Sequence, residues 1–283
     1  MMKRSLTVLA CLAVSQIAHA EPSAKDLDDR AKTLETKLAG QGFTILIEAP
    51  FVVIGDGPAK EVRSITTGFL RSKVKLLEKE YFSKRPDKLI EVWLFNNEKS
   101  FRKGAKKFFG DPPDTPYGYY SPSQNALVMN VTGLGTLSHE LVHPYMEANF
   151  PDVPSWFNEG LASLYERPSE RKGHIIGLPN WRLPNLRKEI RAKTLPSIAT
   201  MMSTTRDGFY DARYDGYAFA RYLVYYLQEQ GKLKEFYDKF RAAHAEGKDK
   251  TGQVVLATVL GEELATFEPK WRAWVLAIKS DNK

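Results

Sequence analysis

The amino-acid sequence predicts an α+β protein, in which strands are mixed with helices at first and helices alone follow. The chain has 283 residues, 43% of them hydrophobic and 27% charged, a balance typical of globular domains and not of disordered or collagen-like chains. Strand patterns end near residue 131, and the later sequence has helical periodicity. This order indicates two subdomains that meet near residue 150.

The first twenty residues are predicted to be a signal peptide. Lys3 and Arg4 precede an apolar run over residues 6–14, and Ala18 and Ala20 fit a secretory cleavage site. No later apolar stretch approaches the 18 residues of a transmembrane helix. We therefore expect an exported protein, periplasmic or secreted, with no stable membrane span.

Residues 21–150 form the predicted N-terminal subdomain, whose elements follow from apolar periodicity and from glycine and proline breaks. They are a polar helix over 24–40, two short strands or a hairpin over 44–54, an amphipathic helix over 59–82, a strand over 89–95, a basic helix over 98–109, a loop over 110–123 and a strand over 126–131. The loop contains four prolines and two glycines. The strand over 126–131 is taken as the last one and as a sheet edge that could align an extended peptide.

Residues 151–283 are predicted to form a helical subdomain, because apolar residues recur there at helical spacing. The helix over 136–149 precedes it, and its own helices are predicted over 155–166, 183–193, 196–202, 213–230, 232–246, 251–260 and 262–279. Trp181, Trp271 and Trp274 are most simply core or subdomain-seam residues.

Charge and cysteine content exclude several classes of protein. The formal net charge is +7, but the lysines and arginines alternate with acidic residues on the predicted helices, which favours solvated surfaces over a nucleic-acid groove. A single cysteine excludes a multi-cysteine zinc or iron–sulfur site. No nucleic-acid partner is expected, and the oligomeric state is left open.

The candidate chemistry begins at His139, Glu140 and His143, which form an H-E-x-x-H pattern on a predicted helix. Four residues make just over one helical turn, so both imidazoles project from one face and can bind one metal ion. Glu140 lies beside that face and can accept a proton from water. Pro144 follows the second histidine and predicts a kink there.

A catalytic zinc ion needs a third protein ligand. No third histidine follows at the spacing of metzincins, so a carboxylate is the better candidate. Glu159 lies 16 residues after His143, near the start of a helix that follows Pro151 and Pro154. Gly160 is expected to let this helix approach the histidine helix closely.

The pair of motifs H-E-x-x-H and W-x-N-E-G-x-A resembles the gluzincin zinc metallopeptidases, in particular the aminopeptidase N-like group and the bacterial peptidase MA-like family. The resemblance is strong over the two motifs and loose over the rest of residues 117–230. It implies a zincin-like fold with a cleft between the subdomains and one Zn²⁺ per chain. It also implies that His139, His143 and Glu159 are the metal ligands and that Glu140 is the general base.

Two further segments bear on this resemblance. The sequence from Tyr214 to Tyr217 is similar to the one in which aminopeptidase-like enzymes place an oxyanion-stabilising tyrosine. Tyr214 is the first choice and Tyr217 the substitute, although either tyrosine could simply pack at a seam. Residues 126–130 are apolar where aminopeptidases keep a glutamate for the substrate's amino end, which argues against an N-terminal exopeptidase of that type.

The sequence therefore predicts an exported zinc-dependent hydrolase, most simply a peptidase that acts on peptide or protein substrates. One alternative is a catalytically degenerate protein of the same fold that binds peptide or cell-envelope material without turnover. Another is a helical interaction protein whose metal-binding motif is accidental.

Overall fold

The computed structural model describes residues 21–110, 113 and 115–279. They form an α+β protein with a five-stranded mixed sheet and many helices, which confirms the predicted class. The predicted signal peptide, residues 1–20, lies outside the described residues. Within them, every helix is too short or too polar to cross a membrane.

The main sheet has the strand order β1-β2-β3-β5-β4. Its strands are β1 (Thr44–Glu48), β2 (Phe51–Gly55), β3 (Ile90–Phe95), β4 (Gly118–Ser121) and β5 (Ala126–Asn130). The three central strands run parallel, and the two outer strands pair with them antiparallel. Every residue of the central strands is buried, as expected for parallel strands covered on both faces.

Two strand predictions were wrong. The segment 110–123 contains strand β4, so β5 lies inside the sheet and β4 is its edge. A second two-stranded sheet, β6 (Pro168–Arg171) and β7 (His174–Gly177), follows β5 in the chain. Its strands are short and partly exposed. The sequence of this hairpin therefore contains no long apolar run from which a strand could be predicted. Lys172 and Gly173, both with positive φ, form its tight turn.

Each predicted helix is found at its approximate position, but the predicted helix over 59–82 is divided into α2 and α3, and the short helix α9 was not predicted. They are α1 (Ala24–Lys37), α2 (Ala59–Ser64), α3 (Arg71–Glu80), α4 (Glu98–Phe109), α5 (Leu134–Asn149), α6 (Ser155–Leu164), α7 (Leu183–Ala192), α8 (Ile198–Met202), α9 (Arg206–Tyr210), α10 (Gly216–Glu229), α11 (Leu233–Ala245), α12 (Gln253–Leu260) and α13 (Leu264–Ala277). A π-helical segment, Ile65–Leu70, joins α2 to α3.

The two faces of the main sheet are covered by different elements. Alternate strand residues face opposite sides, and one side packs against α1 and α4. The other side belongs to a larger hydrophobic cluster that continues through α3, α5 and α6 to the C-terminal helices. Helix α6 lies between α5 and α10. A Cβ at Gly160 would lie 3.0 Å from Val224, so Gly160 permits the approach of α10 and not, as predicted, of α5.

Candidate metal centre

Helices α5 and α6 supply the three predicted metal ligands. His139 and His143 lie on α5, which continues through Pro144 to Asn149. The chain then reverses at Asp152, whose φ of 58° is left-handed. Helix α6 begins after Pro154 and brings Glu159 back toward the histidines. A short turn between two packed helices therefore brings the two motifs together.

The ligand atoms of His139, His143 and Glu159 all lie within 4.8 Å of one another. Oε2 of Glu159 is 3.3 Å from Nε2 of His139 and 3.9 Å from Nε2 of His143. Bonds of roughly 2.0–2.2 Å to a tetrahedral zinc ion place neighbouring ligand atoms about 3.3–3.6 Å apart. The three residues thus form a buried group that could hold a metal ion.

The other polar atom of each ligand faces a second protein group. Nδ1 of His143 lies 3.1 Å from Oδ1 of Asn158, and the hydroxyl of Tyr210 donates to Oε1 of Glu159 at 2.6 Å. Nδ1 of His139 lies 3.5 Å from Oε1 of Glu166. Hydrogen bonds such as the first two fix the orientation of metal-binding side chains, whereas Glu166 faces His139 as a charged neighbour without hydrogen-bond geometry. These contacts leave both Nε2 atoms and Oε2 facing one another.

Glu166 is itself held by two residues that follow the β6–β7 hairpin. Arg182 donates through Nη2 to Oε1 at 2.6 Å and through Nε to Oε2 at 2.9 Å, a bidentate arrangement. Asn180 adds a bond of 2.7 Å to Oε2. The carboxylate beside His139 therefore has little rotational freedom.

The electrostatic environment favours positive charge between the three ligands. Burial lowers the pKa of His139, but Glu159 and Glu166 outweigh this effect and raise it to about 10. Burial raises the pKa of Glu159, but His143, His139 and Tyr210 outweigh it and lower the pKa to about 2. A proton on His139 or a metal cation can supply the required charge.

Glu140 lies beside the ligand group, with Oε2 3.8 Å from Nε2 of His143. Burial raises the pKa of Glu140, while the imidazoles of His139 and His143 and the backbone amide of Tyr120 act in the opposite direction. The carboxylate lines the cleft. It is therefore placed to exchange a proton with a small molecule beside the three ligand atoms.

The structure places the two candidate tyrosines differently. Tyr214 packs against Phe219, with ring centroids 6.2 Å apart, and does not line the cleft. The substitute, Tyr217, does line it, and its ring lies 6.5 Å from that of His139. Burial, Glu159 and Glu140 raise the pKa of Tyr217, so its hydroxyl stays protonated and can donate a hydrogen bond.

The cleft above the ligands has a volume of about 1220 Å³, more than the 300–1000 Å³ usual for small-molecule sites. Strand β4 borders it through Gly118, Tyr119 and Tyr120, and Tyr117, the residue before the strand, also lines it. Asn130 donates to the carbonyl of Tyr117, so in this antiparallel register the backbone groups of Gly118 and Tyr120 point away from β5. The sheet edge at the cleft is β4, and not β5 as predicted.

Several residues of this site were not found from the sequence. Glu166 precedes the unpredicted β6–β7 hairpin and Arg182 follows it, and the hairpin brings the two side chains together. Tyr210 lies on the unpredicted helix α9. Trp181, predicted to be a core or seam residue, is 68% exposed and lines the cleft. Asn158 is the asparagine of the W-x-N-E-G-x-A motif, and its place in that motif was the one signal available.

The sequence matches no protein-family model, and no curated protein is significantly similar to it. The class of the protein therefore has to be argued from the site itself.

Proposed function

We propose that this chain is a zinc-dependent hydrolase of the gluzincin class, with a zincin-like fold, and that it cleaves peptide bonds. One observation carries the proposal. Three ligand atoms from His139, His143 and Glu159 face one another, while the opposite atom of each residue faces Asn158, Glu166 or Tyr210. Export by the predicted signal peptide is part of the same proposal.

The donor set fits zinc. Two imidazole nitrogens and one carboxylate oxygen are a ligand set of known catalytic zinc sites. Oε2 of Glu159 is buried and accepts no hydrogen bond from the described part of the chain. A buried carboxylate oxygen without a donor is costly, and a cation at this position would compensate it.

The proposed reaction is the attack of water on a peptide carbonyl. A zinc ion bound there would polarise the carbonyl and make the water more acidic. Glu140 would take the proton from water and deliver it to the leaving amine. Tyr217 would donate its hydroxyl hydrogen to the developing oxyanion. The backbone groups of Gly118 and the carbonyl of Tyr120, which point away from β5, would pair with an extended substrate.

We expect the purified chain to bind one zinc ion and to hydrolyse casein or a mixed peptide library. A chelator should abolish hydrolysis, and zinc should restore it, because the carbonyl and the water both depend on the cation. Elemental analysis gives the stoichiometry, and the release of amino groups gives the rate. Zinc binding without hydrolysis of any peptide would indicate a binding protein, and failure to bind zinc would contradict the proposed site.

Tyr217→Phe is expected to lower kcat roughly 100-fold, because removal of one oxyanion donor commonly has that effect. KM should change little, since the hydroxyl would act mainly in the transition state. Tyr214→Phe is the matched control and should retain activity within about twofold, because Tyr214 lies outside the cleft lining. The opposite ranking of the two variants would restore the original choice of Tyr214.

A further inference from the structure

Exposed apolar side chains concentrate at the cleft. Among the described residues, five large hydrophobic side chains are exposed, and three of them, Tyr117, Trp181 and Tyr210, line the cleft. Exposed apolar groups that gather at one concave surface usually mark a binding site. The other two, Ile47 and Val254, lie outside the cleft lining.

Trp181 forms an aromatic platform with one face stacked on a neighbouring cation. The guanidinium of Arg182 lies 4.2 Å from the centroid of the Trp181 ring and 5.0 Å from that of Tyr217. Arg182 is fixed in turn by its bidentate bond to Glu166. One face of the indole therefore rests on an immobilised cation, while most of its surface is free to contact a ligand.

Trp181 and the edge strand β4 border the cleft next to different residues of the candidate site. Trp181 is connected through Arg182 and Glu166 to His139, whereas Tyr120 of β4 lines the cleft together with Glu140. A polypeptide can use both surfaces, because its backbone pairs with a strand edge while a side chain stacks on an aromatic ring. A glycan could stack on Trp181, but it offers no regular row of amides to β4.

We propose that Trp181 is a specificity-determining residue that binds an aromatic side chain of a polypeptide substrate close to the scissile bond. This inference rests on the proposed function. The stacked Arg182 pre-orients the indole, so little side-chain entropy is lost when the substrate binds. The substrates are then extended segments that carry phenylalanine, tyrosine or tryptophan near the cleaved bond.

The test is cleavage-site profiling of a proteome-derived peptide library with the zinc-loaded wild type and with Trp181→Ala and Trp181→Phe. We expect the wild type to favour sites with a nearby aromatic residue. For a matched peptide pair that differs only by Phe or Ala at the favoured position, Trp181→Ala should lower kcat/KM about tenfold for the Phe peptide. It should lower the value less than twofold for the Ala peptide, and Trp181→Phe should recover most of the loss.

Val254→Ala, at an exposed apolar residue of α12 outside the cleft lining, is the control and should leave the profile unchanged. An equal loss for both peptides, or no loss, overturns the assignment of Trp181 while the proposed hydrolase stands. Trp181-dependent binding of chitin oligosaccharides, measured by calorimetry, without any aromatic preference in cleavage also overturns it. If the zinc-loaded wild type cleaves no peptide, the proposed function fails, and this inference fails with it.

Discussion

Glu140→Gln is expected to lower the rate of peptide hydrolysis by about 100- to 10,000-fold while one zinc ion per chain stays bound. The glutamine amide keeps the size of the side chain but cannot accept a proton, and positioned proton transfer contributes roughly 10²–10⁴-fold in enzymes. Glu140 is not one of the three residues whose ligand atoms converge, so zinc binding should not depend on it. Release of amino groups measures the rate, and elemental analysis measures the metal.

Glu147→Gln is the matched control for this prediction. Glu147 lies two turns further along α5 and also lines the cleft. Its carboxylate contacts Tyr120 and Lys88 rather than the ligand group, so this variant should keep most of the activity. Full activity of Glu140→Gln would refute the role of Glu140, and loss of zinc from that variant would mean that the carboxylate helps to hold the metal.

Glu159→Ala is expected to weaken zinc binding at least about 100-fold, because the substitution removes one of three protein ligands. A ligand that binds only the folded state adds about 2.7 kcal/mol of stability at a hundred times its Kd. Zinc should therefore raise the Tm of the wild type clearly and that of Glu159→Ala hardly at all. Thermal unfolding with and without zinc, together with a competition titration against a chelator, measures both effects.

Glu91→Gln provides the control for the second prediction. Glu91 is also a buried glutamate, but it lies on β3 and binds Arg30 and Trp93. This variant should be destabilised and yet keep the same zinc-induced rise in Tm. If zinc stabilised Glu159→Ala as much as the wild type, the third ligand would have to be sought elsewhere.

The fold could be predicted from the sequence wherever local pattern and final environment agree. The buried parallel strands β2, β3 and β5 are mostly apolar, and the helices have clear periodicity, so both were found. Strand β4 was missed because its tyrosines are surrounded by prolines and it becomes a strand only by pairing with β5. The hairpin of β6 and β7 was missed because exposed strands carry little apolar pattern.

The same distinction applies to the candidate site. His139, Glu140 and His143 are related by helix geometry alone, and Glu159 is brought near them by one short turn, so local reasoning was sufficient. The choice of Tyr214 over Tyr217 rested on the resemblance to aminopeptidase-like enzymes, and a helix was predicted to begin at residue 213. Helix α10 begins at Gly216, so Tyr214 precedes the helix and Tyr217 lies in its first turn. Contacts across long separations, such as Glu166 with Arg182, leave no local pattern.

The β6–β7 hairpin connects the wall of the cleft that carries Trp181 to helix α3. Glu166 lies just before the hairpin, and Asn180 and Arg182 lie just after it, so its two ends are fastened to each other. Its tip is anchored to α3, where Lys79 donates to the carbonyl of Gly173 at 2.7 Å. The wall that carries Trp181 is therefore held both at the ends of the hairpin and at its tip. For the hydrolase proposed above, we expect extended or unfolded chains to enter the cleft more readily than a bulky folded segment, whose entry would require the hairpin to detach from α3.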